Sequence, residues 1–376
     1  MSGAIEKFRN WYIKKNIPVV GGALQADILY NGAPLYYGTS GTIGPRKGNF
    51  ILQNADFILV LGNSLPTKQT GFYVEGFAPN AKIAMVDVSE DEMKKPGLNI
   101  ALRIHADINE FLDATENKLK PWSNNKEWLD YLNSIDGKIG DIDAKRDCLP
   151  QERVSYYSLA EAILKHDDSA WYALGNSNGM CGFLQIGAQN SSQKMIVNYN
   201  TGSMGDDLPE AVGMAVAGKN QRQIIVVTGD GSIMMNLQEL QTIKHYNLPI
   251  KVVILSNDGY GALRQTNKNF FNGTYIGCDA ESGVSFPNWE MVARAFGFKY
   301  IGCNNNMELD EKTHEFLQSS EHTIYVVKQR QDDPIIPKVM SKLSENGTFS
   351  SPCLHEMFPF LEEEIMKELM IDKQED

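Results

Sequence analysis

The chain has 376 residues, 42% of them apolar, which is enough for two domains with separate cores and excludes a disordered chain. Its 35 basic and 47 acidic residues leave a formal net charge of −12, which argues against nucleic acid or an anionic membrane as partner. Cys148, Cys181, Cys278, Cys303 and Cys353 show no C-x-x-C spacing and the six histidines no ligand spacing, so neither disulfides nor zinc are indicated; with no membrane-length apolar run and no signal-like start, a cytoplasmic protein is expected.

Residues 1–120 alternate helical and strand patterns. A helix is expected from Ala4 to Lys15, strands at IPVV (from Ile17), DFILVLG (from Asp56) and KIAMVDV (from Lys82), and a helix around Asp107 to Leu119. This is a Rossmann-like unit, but it opens on a helix where a doubly wound unit normally opens on the central strand of its sheet. A polar stretch, KPWSNNKEW, marks a boundary, and a charged helical connector is expected over 121–150. Residues 151–333 form a second α/β unit with six strand candidates: AWYAL, MIVNYN, QIIVVT, IKVVIL, KYIG and TIYVVK. The fold class expected is therefore α/β, two Rossmann-like, doubly wound parallel-sheet domains. Residues 334–376 read as an irregular tail ending in a charged amphipathic segment, Leu361 to Met370; its SSPCLHEMFPFL stretch would either cover a site as a lid or pack on a sheet.

Most of the chemistry is concentrated between Gln223 and Asn257. QIIVVT reads as a strand buried on both faces, and Gly229, Asp230 and Gly231 then force a tight turn in which backbone N–H groups approach a bulky anion and Asp230 presents a hard oxygen ligand. A helix is expected from Ser232 to about Leu248, with Met235, Leu237, Leu240 and Ile243 on one face, stopped by Pro249 and followed by a strand through Leu255. A right-handed βαβ crossover would bring Asp230 and Asn257 out together at the carboxyl edge, where one carboxylate, one amide oxygen and a backbone carbonyl suit Mg²⁺. The alternative is a plain tight turn.

These residues resemble the cofactor motif of the thiamine-diphosphate enzymes, a GDG turn followed at fixed spacing by an Asn pair, here Ser256-Asn257. The resemblance implies thiamine diphosphate and Mg²⁺ as cofactors, with Asp230, Asn257 and the carbonyl of Gly259 on the metal and Gly229, Gly231, Ser232, Tyr260 and Gly261 around the diphosphate. Asn200 to Gly213, NTGSMGDDLPEAVG, is similar to the acetolactate-synthase branch, where GxMG followed by LPAA holds a Met under the bent cofactor; Gly202, Ser203 and Met204 match it. On its own Met204 would more often be core. Gly175, Asn176 and Ser177 stand where that branch places a Gln-His pair on the diphosphate.

Residues 41–62, GTIGPRKGNFILQNADFILVLG, resemble the same family's middle domain. In flavin-bearing members the following loop carries an Arg-Phe-Asp-Asp-Arg pattern; here it is Asn63 to Lys68 without either arginine, so FAD is not expected. The family also has a preceding domain that binds the aminopyrimidine and carries the glutamate that starts its proton relay. No counterpart is found, Glu239 being a weak substitute on a helix leading away, so no catalytic residue is assigned. A partner polypeptide or homo-oligomer supplying that half, an interrupted longer protein, or a non-catalytic remnant remain open, and the missing first strand favours the second. The implied complete enzyme is a transferase or carboligase that decarboxylates a 2-oxo acid such as pyruvate and transfers the acyl group to an acceptor. Thr266 replaces a family Trp, enlarging the acceptor pocket, and Arg264 reads either as a partner for an acceptor's carboxylate or phosphate or as a surface charge.

Overall fold

The computed structural model describes residues 3–123, 126–143, 149–176, 178–343 and 349–371, which divide into two compact units, residues 1–145 with 336–376, and residues 146–335. None of its helices among the described residues is long and apolar enough to cross a membrane.

The first unit opens on the expected helix, Ile5–Lys15, whose buried Trp11 and Tyr12 anchor it to the helix Ile108–Glu116; the Trp11 indole N–H donates to Thr115 Oγ1 at 3.0 Å. β1 (Val19–Gly22) pairs in parallel with β2 (Tyr36–Ser40). A separate parallel sheet holds β3 (Phe57–Leu61), β4 (Lys82–Asp87) and β5 (Ile100–His105) in that order. β2 and β5 escape a pattern reading because YYGTS holds no aliphatic run and IALRIH is mostly exposed, and both sit at sheet edges, where only one neighbour has to be satisfied.

Two segments of this unit are placed by the structure. The charged connector contains an amphipathic helix, Lys126–Ile139, whose Leu132 and Ile135 enter a core with Phe50 and Ile51. The tail is not a separate segment: Val339, Leu354 and Met357 share a core with Val60, Ile83 and Met85, and Leu361 and Leu369 join the Lys126–Ile139 helix. What ties it down is polar. The helix Arg46–Asn54 turns Arg46, Asn49 and Asn54 inward, and Arg46 donates to the carbonyls of Met357 (3.1 Å) and Pro359 (2.5 Å) while pairing with Asp143 at 2.9 Å. Asn49 Nδ2 donates to Leu354 O and Asn54 Nδ2 to Leu369 O. Buried backbone carbonyls need donors, and a tail whose paired strands, such as Lys338–Val339 with Met357–Phe358, are only two residues long takes many of them from side chains.

The second unit is a six-stranded, all-parallel sheet: β6 (Trp171–Leu174), β7 (Lys194–Val197), β8 (Ile224–Gly229), β9 (Ile250–Ser256), β10 (Lys299–Cys303) and β11 (Thr323–Lys328), in the order β10-β11-β9-β8-β6-β7. All six are the strands read from the sequence. β8 and β9 are buried almost throughout, which is why they read as continuous rather than alternating apolar runs. Even Lys251 is buried, its ammonium donating to the last carbonyls of the helix Leu309–Gln318 at Phe316 (3.1 Å) and Leu317 (2.8 Å).

Candidate functional site

From β6 the chain builds outward to β7 on one side and then returns to β8 on the other. In an open parallel sheet such a switch leaves a crevice between the loops that follow the two adjacent strands. Those loops begin at Gly175 and just after Gly229, and the first is tied to β8, Gly175 N–H donating to Val227 O at 2.8 Å. Asn176 Nδ2 donates to Gly202 O at 3.1 Å, which joins the first loop to the segment carrying half-buried Met204. Gly202 adopts φ +59° and Ser203 is exposed. Ser177 lies outside the described residues.

Asp230 is 1% exposed, and its two oxygens each take one backbone N–H, from Gly231 at 3.0 Å and from Asp258 at 2.9 Å. The second bond places the carboxylate one peptide from Asn257, as the crossover argument requires. Among the described residues no side-chain cation pairs with it. Burial therefore dominates, and pushes its pKa up to about 7 despite the two N–H bonds. Asp258 holds this junction in a left-handed conformation, φ +59°, with its own carboxylate tied to Arg153 (2.7 Å) and Lys328 (3.1 Å).

Two glycines here are required by close approach. A Cβ at Gly231 would run into the ring of Tyr260, which also packs edge-on against Phe286 at 6.0 Å, and a Cβ at Gly259 would strike the Cys278 carbonyl and the Arg264 guanidinium. Tyr260 N–H donates to Cys278 O at 2.8 Å, and Gly261 opens the helix Gly261–Phe270. A buried carboxylate short of counter-charge, an amide and a carbonyl are a hard-oxygen set suited to a divalent cation completed by phosphate and water. No cluster of three His, Cys, Asp or Glu side chains accompanies it among the described residues.

Two features differ from the sequence expectation. The helix after the turn is broken: Asp230–Ile233 is one short piece and Glu239–His245 another, so Met235 is exposed while Leu240 and Ile243 remain in the core. The reason is docking. Gly205 N–H donates to Ser232 Oγ (2.8 Å) and Asn236 Nδ2 donates to Gly205 O (2.6 Å), bonds that a continuous helix would not present to the Met204 segment. Arg264 is not a surface charge; it is 5% exposed, with Nη2 donating to Asn257 O at 2.9 Å and Asn257 Oδ1 at 3.2 Å. Thr266 on the same helix is exposed, its hydroxyl returned to Ala262 O at 3.0 Å.

The residue sequence reading missed is Asp207. Fully buried, it accepts from Thr228 Oγ1 (2.7 Å) and Ser232 Oγ (2.8 Å), clamping the Met204 segment onto both ends of the Gly-Asp-Gly turn. Burial raises its pKa, with these hydroxyl bonds opposing. Glu210, one turn on, is pushed up to about 7 by burial and then by Asp206 and Asp207. The available signal was the acidic DD-x-x-E of residues 206–210, whose Glu stands where the similar LPAA segment has an alanine, beside hydroxyls flanking GDG.

Comparison with known proteins bears on the same two units. Residues 1–115 match the thiamine pyrophosphate enzyme central domain, and residues 177–327 the thiamine pyrophosphate enzyme C-terminal TPP-binding domain. The chain belongs to the thiamine pyrophosphate enzymes and carries these two of their domains. Within them it is a distant homologue of acetolactate synthase large subunits. It is 27% identical to the isozyme 1 large subunit of Escherichia coli over 87% of this chain and 56% of that one, and 30% identical to the isozyme 2 large subunit over 73% and 47%. To chloroplastic acetolactate synthase 2 of Nicotiana tabacum it is 25% identical over 90% and 52%. The chain thus spans about half the length of the curated relatives it matches.

Proposed function

We propose that the second unit binds thiamine diphosphate through Mg²⁺, and that with an aminopyrimidine-binding domain, from a second copy or a partner chain, it makes an acetolactate-synthase-like enzyme for a 2-oxo acid such as pyruvate. The observation carrying this reading is the buried Asp230 carboxylate, without a cation partner and one peptide from Asn257, at the crevice between β6 and β8. Asp230, Asn257 Oδ1 and the Gly259 carbonyl would hold the metal. The N–H groups of the Gly229–Ser232 turn and the Asn176 amide would hold the diphosphate, and Met204 would support the bend of the cofactor. Thiamine diphosphate, when bound, supplies the electron sink for decarboxylating a 2-oxo acid. The chain's own part is position and field: Asp207 fixes the Met204 segment against the turn, and Asp258 N–H orients the Asp230 carboxylate. On the acceptor side, exposed Thr266 leaves room for a bulkier or more polar acceptor than a Trp would admit.

Calorimetric titration with thiamine diphosphate, with and without Mg²⁺ and with thiamine as control, tests the reading. Metal-dependent binding of the diphosphate form alone is expected; equal binding of thiamine, or none of either, overturns it. A second reading, a module that holds the cofactor without turnover, is favoured by the grip of Arg264 on Asn257. Adding a polypeptide with the pyrimidine-binding domain separates the two: acyl transfer only in the mixture supports the enzyme, and silence supports the module.

A further inference from the structure

Arg264 is a cation in an unusual position. Its guanidinium is buried, forms no ion pair among the described residues, and leaves Nε without any hydrogen-bond partner. Nη2 instead donates to the main-chain and side-chain oxygens of Asn257 and, at 3.5 Å, to Gln331 O, while Nη1 lies against Gly259. An uncompensated buried charge is costly, so the cavity that accepts it must offer it negative potential. The Asp230 and Asp279 carboxylates supply such potential without an ion pair to it. Arg264 therefore stands on one of the three groups assigned to the divalent metal, Asn257 Oδ1, lies beside the residue that carries the second, and is attracted by the third.

A neighbour is similarly unfinished. Gln329, 1% exposed, accepts weakly from Asn257 Nδ2 at 3.4 Å and has no partner for its own Nε2. Asn257 is thus held mainly by Arg264. A metal that takes Asn257 Oδ1 must either displace Arg264 from that atom or share the oxygen with it, and in both cases it sits beside a fixed positive charge.

We propose that Arg264 is a resident cation that competes with the divalent metal for Asn257 and so sets the metal concentration at which the site loads. The proposal rests on the thiamine-diphosphate reading above. In this role Arg264 is a positioning residue: it acts through Asn257 and touches neither substrate nor reacting atoms.

The test is binding of thiamine diphosphate, followed by calorimetry or intrinsic fluorescence, across a series of Mg²⁺ concentrations. Removing one charged hydrogen bond from a ligand-site oxygen predicts that Arg264→Gln lowers the half-saturating Mg²⁺ by roughly five- to tenfold. Arg264→Lys, which keeps the charge but lacks the planar guanidinium whose Nη2 reaches both Asn257 oxygens, should give a smaller decrease and serves as the readout if the Gln variant does not fold. Lys268→Gln removes an exposed charge from the same helix and should leave the value unchanged, separating local competition from general charge. An unchanged or raised Mg²⁺ requirement in the Arg264 variants, with binding intact in the wild type, overturns the proposal alone. Failure of the wild type to bind at any Mg²⁺ concentration overturns the cofactor reading and this proposal together.

Discussion

The two units put the same architecture to different ends at the carboxyl edges of their parallel strands. In the first, the side chains at that edge satisfy one another: Asn63 Nδ2 donates to Gln69 Oε1 (2.9 Å) and Gln25 Oε1 (3.2 Å), Gln69 reaches Ser40, and Asn49 bridges Gly41 to the tail at Leu354. In the second, the crevice keeps groups short of partners among the described residues: Asp230 without a paired cation, Arg264 Nε and Gln329 Nε2 without acceptors, and Asp206 Oδ2 and Glu210 Oε2 without donors. An edge whose amides are mutually bonded gains rigidity and offers a ligand little, whereas one that holds unmatched charge in low dielectric gains from whatever brings the missing partner. The contrast separates a structural edge from a binding edge within one chain.

Asp230→Ala would break the contrast most directly. It removes the only carboxylate of the proposed metal set, and metal-dependent binding of thiamine diphosphate should fall below detection in calorimetry, with the fold retained by circular dichroism. Unchanged affinity would remove Asp230 from the site. Next in size, Arg46→Ala should destabilise the first unit by about 2–3 kcal/mol in urea unfolding, because two tail carbonyls and Asp143 lose their shared donor in a buried setting. Cofactor binding by the second unit should survive in the same variant; its loss would mean that the strap does more than hold the first unit together.

Glu210→Gln sharpens the comparison at the smallest scale. A carboxyl whose folded pKa is raised to about 7 binds its proton more tightly folded than unfolded, so its contribution favours the fold below the unfolded value and is lost as pH rises to about 7. The substitution should flatten the fall in metal-free stability between about pH 4.5 and 7 and raise stability at pH 8 by about 1–2 kcal/mol, read by thermal melts across pH. A wild-type melting temperature that does not fall over this interval would show that Glu210 is solvated.

Much of the second unit was legible because its signals are local. QIIVVT, Gly229-Asp230-Gly231, Pro249 and IKVVIL each constrain the backbone over a few residues, and the handedness of the crossover then leaves one way to bring Asp230 beside Asn257. The helix break after Ile233 was not legible, since Met235 and Leu237 fit a helical face as well as they fit a turn; only the docking of Gly205 and Asn236 decided between them. Arg264 and Asp207 were misjudged or missed for one reason. A charged side chain on a helix reads as solvated until its surroundings are known, because burial of a charge depends on partners distant in sequence, here Asn257 and Gln331 for the arginine and Thr228 and Ser232 for the aspartate.

The sequence by itself determined the fold class, the six strands of the second unit, the turn that gathers the candidate ligands and the resemblance to thiamine-diphosphate enzymes, all of which rest on periodicity, glycine placement and spacing along the chain. Tertiary structure alone decided that the tail and connector belong to the first unit, that the post-turn helix is split, and that a buried arginine holds Asn257. Those outcomes depend on which polar groups meet once water is excluded, a balance of desolvation against hydrogen bonding between residues far apart in the chain.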